Sequence, residues 1–341
     1  MIVRSKAPLR VGLAGGGTDV SPYSDMYGGA ILNATLSNYA YATIIPRNDQ
    51  QIIIRAEDRG ETIQHFSSEV LPVNGQLDLA KGVYNRIVKD FTRKALGFEL
   101  TTYVDAPPGS GLGSSSTLVV AILGAFVEWL KLPLGEYDIA HLAYSIERED
   151  LQLAGGKQDQ YAATFGGVNF MEFYIGDKVI VNPLRIKEKF LHELENNLIL
   201  FNTETSRLSS AIIEKQSQNV KDKNDHSIEA MHNLKEQAQR MKEALLKGEI
   251  NAIGEILHYG WEQKKKMAAG ITNSQLDEIY QAAMQAGATG GKVSGAGGGG
   301  FMTFYAPENR KYAVIKKISA FGGRVMPYHF VSHGLTSWTI Q

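Results

Sequence analysis

The segment Pro107-Pro-Gly-Ser-Gly-Leu-Gly-Ser-Ser-Ser-Thr-Leu-Val-Val-Ala121 decides the fold, because it joins a predicted strand to a predicted helix. Residues Phe98 to Asp105 alternate between apolar and polar side chains, which is typical of a half-buried strand. Residues Thr117 to Leu130 are apolar enough to form a buried helix. The three glycines and four serines between them predict a turn whose backbone can approach a ligand closely.

The start of this helix is suited to bind phosphate. The first N–H groups of a helix have no partner within it, and the positive end of the helix dipole lies behind them. The serine hydroxyls add hydrogen-bond donors and a lone pair for a metal ion. A polar turn that only caps the helix has the same composition. The spacing fits neither the Walker loop nor the dinucleotide-binding fingerprint, so phosphate binding here requires a third type of loop.

Composition limits the function classes. A chain of 341 residues with 43% hydrophobic and 21% charged residues is ordinary for a soluble globular enzyme of one large domain or two. The formal net charge of −1 gives no general attraction to polyanions, so no nucleic-acid partner is expected. The absence of cysteine excludes disulfides and thiolate catalysis, and fits a cytoplasmic protein. No apolar run approaches about 18 residues, and no signal peptide is evident, so no membrane partner is expected.

Two further glycine-rich segments lie near the ends of the chain. The first, Gly15-Gly-Gly-Thr-Asp19, follows a predicted strand. Its aspartate either accepts hydrogen bonds from sugar hydroxyls or caps the segment that starts near Pro22. In the second, Gly290 to Gly300, seven of eleven residues are glycine. Fixing such a stretch costs conformational entropy, which favours a ligand or a tight backbone crossing over a flexible loop.

Two acidic positions are candidates for chemistry. A predicted helix over Tyr137 to Leu151 ends in a charged run that includes Glu147, and such a run is usually a solvated helix end. Asp159 lies between a glycine pair and the small-residue start of another helix. There it is either a helix cap or a carboxylate that faces a cleft.

The chain contains no Pro/Gly/Ser-rich linker, so the domain boundary is placed by composition. The sequence becomes charged between Arg185 and Glu195, which predicts an N-terminal domain of residues 1–188 and a C-terminal domain of residues 189–341. Within the second, residues 212–247 predict an amphipathic helix. The strand–helix–strand spacing over residues 301–327 favours an α+β domain.

Taken in order, the three glycine-rich segments resemble the three motifs of the GHMP kinases, a superfamily that includes galactokinase, homoserine kinase and mevalonate kinase. The resemblance spans nearly the whole chain. It implies an α+β, two-domain fold, with an N-terminal ribosomal-protein-like α/β domain, a C-terminal ferredoxin-like α+β domain, and the active site in the cleft between them. It also implies phosphoryl transfer from ATP to a small molecule.

The resemblance implies that the middle motif binds the nucleotide. Ser116 is similar to the family's Mg²⁺-contacting serine, and Glu147 to its metal-binding glutamate, twelve residues before Asp159. Two hard oxygen ligands together with phosphates and waters suit Mg²⁺. The residues that would wrap the ATP phosphates are Pro108, Gly109, Ser110, Gly111, Leu112, Gly113, Ser114, Ser115 and Ser116.

The same resemblance assigns the reaction centre. Asp159 corresponds to the catalytic aspartate, which would orient the acceptor hydroxyl and take its proton. Arg10 corresponds to the basic residue that would keep this carboxylate ionised and meet the developing charge. The implied substrate-binding residues are Gly17, Thr18, Asp19, Gly297 and Gly298.

In galactokinases the positions of Gly16 and Gly17 hold a glutamate and a histidine. The two glycines here remove two sugar contacts and are expected to open space for a larger sugar.

Within the superfamily, the chain is most similar to the D-glycero-D-manno-heptose 7-phosphate kinases. The Gly15–Asp19 segment, Gly155-Gly-Lys-Gln-Asp-Gln160 and Thr203-Glu-Thr-Ser-Arg207 carry this narrower resemblance. It implies transfer to the anomeric hydroxyl and a 1,7-bisphosphate product, which feeds nucleotide-activated heptose for surface glycans. A kinase of an unphosphorylated sugar such as fucose, and a non-catalytic sugar sensor, are the alternatives. Monomer and homodimer are both left open.

A sugar phosphate brings its own anionic group, so its binding site needs cations. Lys157, Arg207 and Lys292 are the candidates. Arg207 is the first choice, because a guanidinium can contact a phosphate through two hydrogen bonds.

Overall fold

The computed structural model describes residues 1–205 and 209–341. Its strands are β1 Ile2–Ala14, β2 Gly29–Pro46, β3 Gln51–Ala56, β4 Glu61–Phe66, β5 Phe98–Val104, β6 Val168–Phe173, β7 Val179–Pro183, β8 Leu198–Asn202, β9 Gly290–Val293, β10 Phe301–Tyr305, β11 Arg324–Val325 and β12 Thr336–Ile340. Its helices are α1 Tyr23–Tyr27, α2 Asp78–Ile87, α3 Ser114–Leu130, α4 Glu136–Ser145, α5 Gln158–Phe165, α6 Glu188–Asn197, α7 Ser209–Lys221, α8 Asp225–Lys247, α9 Ile253–Met267, α10 Ser274–Gln285 and α11 Lys311–Ile318.

An eight-stranded sheet forms the first half of the molecule. Its main path runs β12-β1-β2-β5-β3-β4, and the long strand β2 also pairs with β6, which pairs with β7. Helix α3 packs against β1 and β2. Its only charged residue is Glu128, so nearly every face can be buried between the sheet and the neighbouring helices. The sheet thereby fixes the start of α3, where the middle glycine-rich segment ends.

A four-stranded antiparallel sheet, ordered β11-β8-β10-β9, forms the second half. Helix α9 packs against β9 and α8. Trp261 of α9, Tyr280 of α10 and Phe304 of β10 meet in the core of this half. The predicted α+β, two-domain fold is confirmed. No helix in the described ranges combines the length and apolar character needed to cross a bilayer.

The end of the chain returns to the first sheet. Strand β12 pairs antiparallel with β1, with Ile340 opposite Ile2. Residues 336–340 therefore belong to the N-terminal sheet, although the predicted boundary at residue 188 assigns them to the C-terminal domain. The sequence gives little sign of this strand, because it is an edge strand whose side chains are mostly exposed.

Two helices end in π-helical turns. Helix α2 continues into Val88–Thr92, and α4 continues into Ile146–Asp150. Such turns are rare and are often found at functional sites, because they change the direction in which side chains point. The second π-turn carries Glu147, which is buried, although its place in a charged run is typical of a solvated helix end.

We predict that the returning segment is held on α3 by the contact between Leu335 and Gly124. A Cβ atom at Gly124 would lie 2.5 Å from Leu335 Cδ1. The crowding from Gly124→Ala should outweigh the gain in helix propensity and lower the free energy of unfolding by about 1–2 kcal/mol. In a Leu335→Ala background the same change should raise it by about 1 kcal/mol.

Chemical denaturation of the wild type, the two single variants and the double variant measures the coupling between Gly124 and Leu335. Equal effects of Gly124→Ala in both backgrounds would show that Leu335 does not lie on the helix.

Candidate active site

A cavity of about 290 Å³ lies where the two halves of the molecule meet. All three glycine-rich segments contribute to its walls. Among its lining residues, those expected from the sequence are Arg10, Gly17, Asp19, Gly109, Gly111, Gly113, Ser114, Ser115, Ser116, Glu147 and Asp159. The tertiary structure therefore brings together residues from distant parts of the chain, such as Arg10 and Asp159, which lie 149 positions apart.

The middle segment presents unpaired N–H groups to this cavity. Gly113 precedes α3 with a φ of 77°, a left-handed conformation that favours glycine. The helical hydrogen bonds begin where Thr117 N–H donates to the Gly113 carbonyl at 2.9 Å. The preceding N–H groups, those of Ser114 to Ser116, consequently have no helical partner. This helix start has the geometry that binds phosphate.

Backbone crossing explains why the middle and third segments are both rich in glycine. A Cβ on Gly111 would lie 2.6 Å from the Ser294 carbonyl oxygen, and one on Gly295 would lie 2.7 Å from Gly111 Cα. The Phe301 N–H donates to the Ser110 carbonyl at 2.9 Å across the same contact. Side chains at these glycines would push the two domains apart, so the tight crossing is the structural reason for the composition.

Three predicted phosphate-loop residues do not line the cavity. Ser110 is buried and holds the third segment through its carbonyl. Leu112 is buried in the hydrophobic core, and Pro108 is exposed on the outer side of the loop.

Ser116 and Glu147 form a buried oxygen pair at the end of the phosphate loop. The Ser116 hydroxyl donates to Glu147 Oε1 at 3.0 Å, and the Gln160 side-chain amide donates to both residues. Burial is the main reason that the pKa of Glu147 is raised, with the Arg148 guanidinium opposing the shift. A buried carboxylate next to a hydroxyl is a suitable donor set for a hard cation.

The catalytic candidates Arg10 and Asp159 are in direct contact. Arg10, on β1, donates from Nε to Asp159 Oδ1 at 2.7 Å, and its Nη2 lies 2.6 Å from the same oxygen. Its Nη1 donates to the Gly111 carbonyl at 2.5 Å. Asp159 lies in the first turn of α5, where the helix dipole favours a carboxylate. Arg10 therefore fixes the carboxylate relative to the phosphate loop.

Asp19 is held by the start of the same helix. Its Oδ2 accepts from the Gln158 N–H at 3.0 Å. A Cβ at Gly156 would lie 1.9 Å from that oxygen, so only glycine permits this approach. Burial raises the pKa of Asp19, and the Gln158 hydrogen bond opposes this shift. Asp19 and Asp159 thus face the cavity from adjacent positions.

Arg148 shapes the loop that leads to Asp19. Its guanidinium donates to the Leu153 carbonyl at 3.2 Å and to the Gly156 carbonyl at 3.3 Å. A Cβ at Gly155 would lie 2.3 Å from its Nη2. The loop therefore wraps around Arg148 and delivers Gly156 to the carboxylate of Asp19.

The structure does not bring every predicted substrate residue to the cavity. Thr18 is buried, and its hydroxyl donates to the carbonyls of Gly15 and Ala30 at 2.9 and 3.0 Å, so it orders the loop. In the third segment, Gly297 and Gly298 pack against Ile271, whereas Gly295 and Ala296 line the cavity.

The three predicted phosphate-binding cations have different positions. Lys157 pairs with Asp177 at 2.7 Å and with Asp25 at 3.4 Å, and its ammonium does not line the cavity. Lys292 is buried behind Gly12, where burial and the neighbouring Lys264 lower its pKa well below the usual value. Arg207 lies outside the described residues.

Sequence reasoning missed Lys264, which lines the cavity from α9. This lysine is followed by two others, so the local sequence is typical of an exposed helix face. Helical spacing is the sequence signal that could have found Lys264. The apolar residues Ile253, Leu257 and Trp261 lie on one face of α9, and position 264 falls on the same face. Gln160, the residue directly after Asp159, was also missed.

Comparisons with known proteins identify the family of this chain. The family models for the GHMP kinases N terminal domain and the GHMP kinases C terminal region match residues 78–167 and 241–324. A D-glycero-alpha-D-manno-heptose 7-phosphate kinase from Campylobacter jejuni is 50% identical over 338 residues, which cover 99% of each chain. The chain belongs to the GHMP kinase family. A GHMP kinase uses ATP, and the predicted kinase activity is confirmed.

Two further relatives are named as sugar or sugar-phosphate kinases. The crystal structure of a D-glycero-D-manno-heptose 1-phosphate kinase from Bacteroides thetaiotaomicron is 48% identical to this chain, with a TM-score of 0.85 over 99% of both chains. A bifunctional fucokinase/GDP-fucose pyrophosphorylase from Arabidopsis thaliana is 27% identical over 89% of this chain and 30% of its own length.

We predict that Asp159→Asn lowers kcat by roughly a hundredfold or more, because the amide can no longer accept the hydroxyl proton. Steady-state kinetics with ATP and the sugar phosphate measure this. The matched control is Asp58→Asn on an exposed turn, which should leave kcat unchanged. Near-normal turnover by Asp159→Asn would remove this carboxylate from the role of base.

Proposed function

We propose that this protein transfers the γ-phosphoryl group of ATP to the anomeric hydroxyl of D-glycero-D-manno-heptose 7-phosphate and forms the 1,7-bisphosphate. The observation that carries the proposal is the contact of Arg10 with both Asp159 and the Gly111 carbonyl. This contact places Asp159, the proton acceptor, beside the start of α3, which is suited to bind phosphate. The 50% identity to the Campylobacter jejuni enzyme supports the choice of substrate.

The residues of this chain have separate tasks in the transfer. Asp19 would orient the sugar through its hydroxyls, and Asp159 would orient the anomeric hydroxyl and accept its proton. The Arg10 guanidinium would hold Asp159 ionised and meet negative charge on the transferred group. Such a reaction depends chiefly on positioning and charge neutralisation.

Mg²⁺ is the metal that fits the site best. Ser116 and Glu147 would hold it, and it would supply neutralisation of phosphate charge. The described ranges contain no group of three or more His, Cys, Asp or Glu residues arranged to bind a metal. The remaining ligands would therefore be phosphate oxygens and waters, which is the usual arrangement for Mg²⁺ with nucleotides.

The nucleoside of ATP needs a second space, because the 290 Å³ cavity also receives the sugar. A neighbouring cavity of about 620 Å³ lies between the loop after β4 and the α2 helix. Val70 and Val73 line it on one side, and Asp150 and Leu151, just after Glu147, line it on the other. We place the adenosine there, so that its phosphates extend toward Glu147 and α3.

A charge in this cavity should weaken nucleotide binding selectively. We expect Val70→Asp to raise the KM for ATP by about tenfold or more, because burying a carboxylate against the base is unfavourable. The KM for the sugar should change little. Ile175→Asp, at an exposed hairpin tip, makes the same chemical change elsewhere and should affect neither constant. An unchanged KM for ATP in Val70→Asp would place the adenosine elsewhere.

The substrate is tested by measuring ATP consumption with a panel of acceptors. Heptose 7-phosphate should be the best substrate, ahead of heptose 1-phosphate, fucose, galactose and mannose. The Bacteroides thetaiotaomicron protein is named for a 1-phosphate and the Arabidopsis thaliana protein for fucose, so both alternatives belong in the panel. Robust turnover of a free sugar without turnover of heptose 7-phosphate would overturn the choice, and no turnover of any acceptor would favour a sensor.

The cellular setting follows from the same proposal. We expect the enzyme to act in the cytoplasm, where ATP is available. Light scattering of the purified protein would distinguish a monomer from a homodimer.

A further inference from the structure

Lys264 is a buried cation with no role in the reaction described above. It is 5% exposed and lines the cavity from the C-terminal half. Its ammonium donates to the Gly295 carbonyl. Within residues 1–205 and 209–341, no carboxylate lies within 4.0 Å of its nitrogen, whereas its neighbour Lys265 pairs with Glu262 at 2.7 Å. Lysine is rarely buried without a partner of opposite charge.

The charges around Lys264 make it receptive to an anion. Burial, followed by the nearby Arg10 guanidinium, lowers the pKa of Lys264 to about 8, with Asp19 opposing the shift. Arg10 is committed to Asp159 and Gly111. Arg148 pairs with the Glu147 carboxylate at 3.8 Å and donates to two backbone carbonyls. Among the cations that line the described cavity, Lys264 is therefore the one whose charge is not already matched by a close protein group.

The first glycine-rich segment lies against this side chain. A Cβ at Gly16 would lie 3.6 Å from Lys264 Nζ. A Cβ at Gly17 would lie 2.7 Å from Met267 Cε and 2.8 Å from Gln216 Nε2. Side chains of the C-terminal half thus border the space that the two glycines were expected to leave for a larger sugar. One of those side chains is positively charged.

We propose that Lys264 binds the phosphate group that the acceptor sugar already carries, and that glycine at position 16 keeps its ammonium free for that contact. The inference rests on the proposed function. Lys264 reaches the cavity from α9, beside Asp19 and the first glycine-rich segment, whereas the transferred phosphoryl group belongs at the start of α3. A phosphate near Asp19 would give this cation the negative partner that the protein does not provide.

The first test compares Lys264→Met with Lys265→Met, a matched change on the solvent side of the same helix. Calorimetry should show that Lys264→Met weakens binding of heptose 7-phosphate by about ten- to a hundredfold, the scale of a lost hydrogen bond between charged groups. Its KM should rise by a similar factor with kcat little changed. Binding and turnover of unphosphorylated heptose, used as a weak probe substrate, should stay within about threefold of wild type.

Thermal unfolding separates this role from a structural one. Removing a buried charge that has no carboxylate partner relieves its desolvation cost, so Lys264→Met without ligand should melt at or above the wild-type temperature. If Lys264 only supports the Gly295 loop, the variant should melt lower and lose activity with both substrates equally, and that result would overturn the proposal.

A second pair of variants leaves Lys264 in place. Gly16→Glu would bring a carboxylate to the ammonium, whereas Gly16→Gln has nearly the same size without the charge. The Glu variant should bind heptose 7-phosphate at least about tenfold more weakly than the Gln variant, with equal activity on unphosphorylated heptose. Equal affinities of the two variants for heptose 7-phosphate would contradict the proposed contact.

The outcomes distinguish this inference from the proposed function. Failure of the wild-type protein to phosphorylate heptose 7-phosphate would overturn the proposed function. Turnover by wild type and an unchanged KM in Lys264→Met would overturn the inference alone. An equal fall in kcat with both substrates, without loss of stability, would place Lys264 on the transferred phosphoryl group and would also overturn it.

Discussion

The site depends on one guanidinium. Arg10 joins the first strand to the first turn of α5 through Asp159, and to the phosphate loop through the Gly111 carbonyl. These three elements come from distant parts of the chain, and the arginine fixes their separation. Because the pair is largely buried, its geometry is less screened by solvent than a surface ion pair would be. Without this contact, the Asp159 carboxylate would no longer be held at a fixed position relative to the phosphate loop.

Glycine makes the remaining approaches possible, and in each case the reason is a neighbouring group. Gly111 and Gly295 let two domains cross backbone to backbone, Gly113 lies against Asp159, and Gly156 lies against Asp19. A methyl group at Gly111, Gly295 or Gly156 would meet atoms closer than 3.0 Å. The high glycine content therefore reflects a cavity whose walls are largely backbone, where N–H groups can contact phosphates directly.

Charge in the cavity is arranged by burial. Three carboxylates, those of Asp19, Glu147 and Asp159, face it from the N-terminal half, and burial raises the pKa of the first two. Lys264 enters from the C-terminal half, and burial lowers its pKa. Burial penalises the charged form of each of these groups, so a metal at Glu147 and an anion at Lys264 would relieve opposite electrostatic costs.

The sequence determined the three glycine-rich segments and most strands and helices, because turn chemistry and apolar periodicity are local. Asp159 was assigned to the reaction centre through the family resemblance. Only the tertiary structure decided which of those residues meet. It committed Lys157 to Asp177, buried Thr18 within its own loop, and returned β12 to the first sheet. It also brought Lys264 to Gly16, because burial and charge neutralisation depend on neighbours from distant parts of the chain.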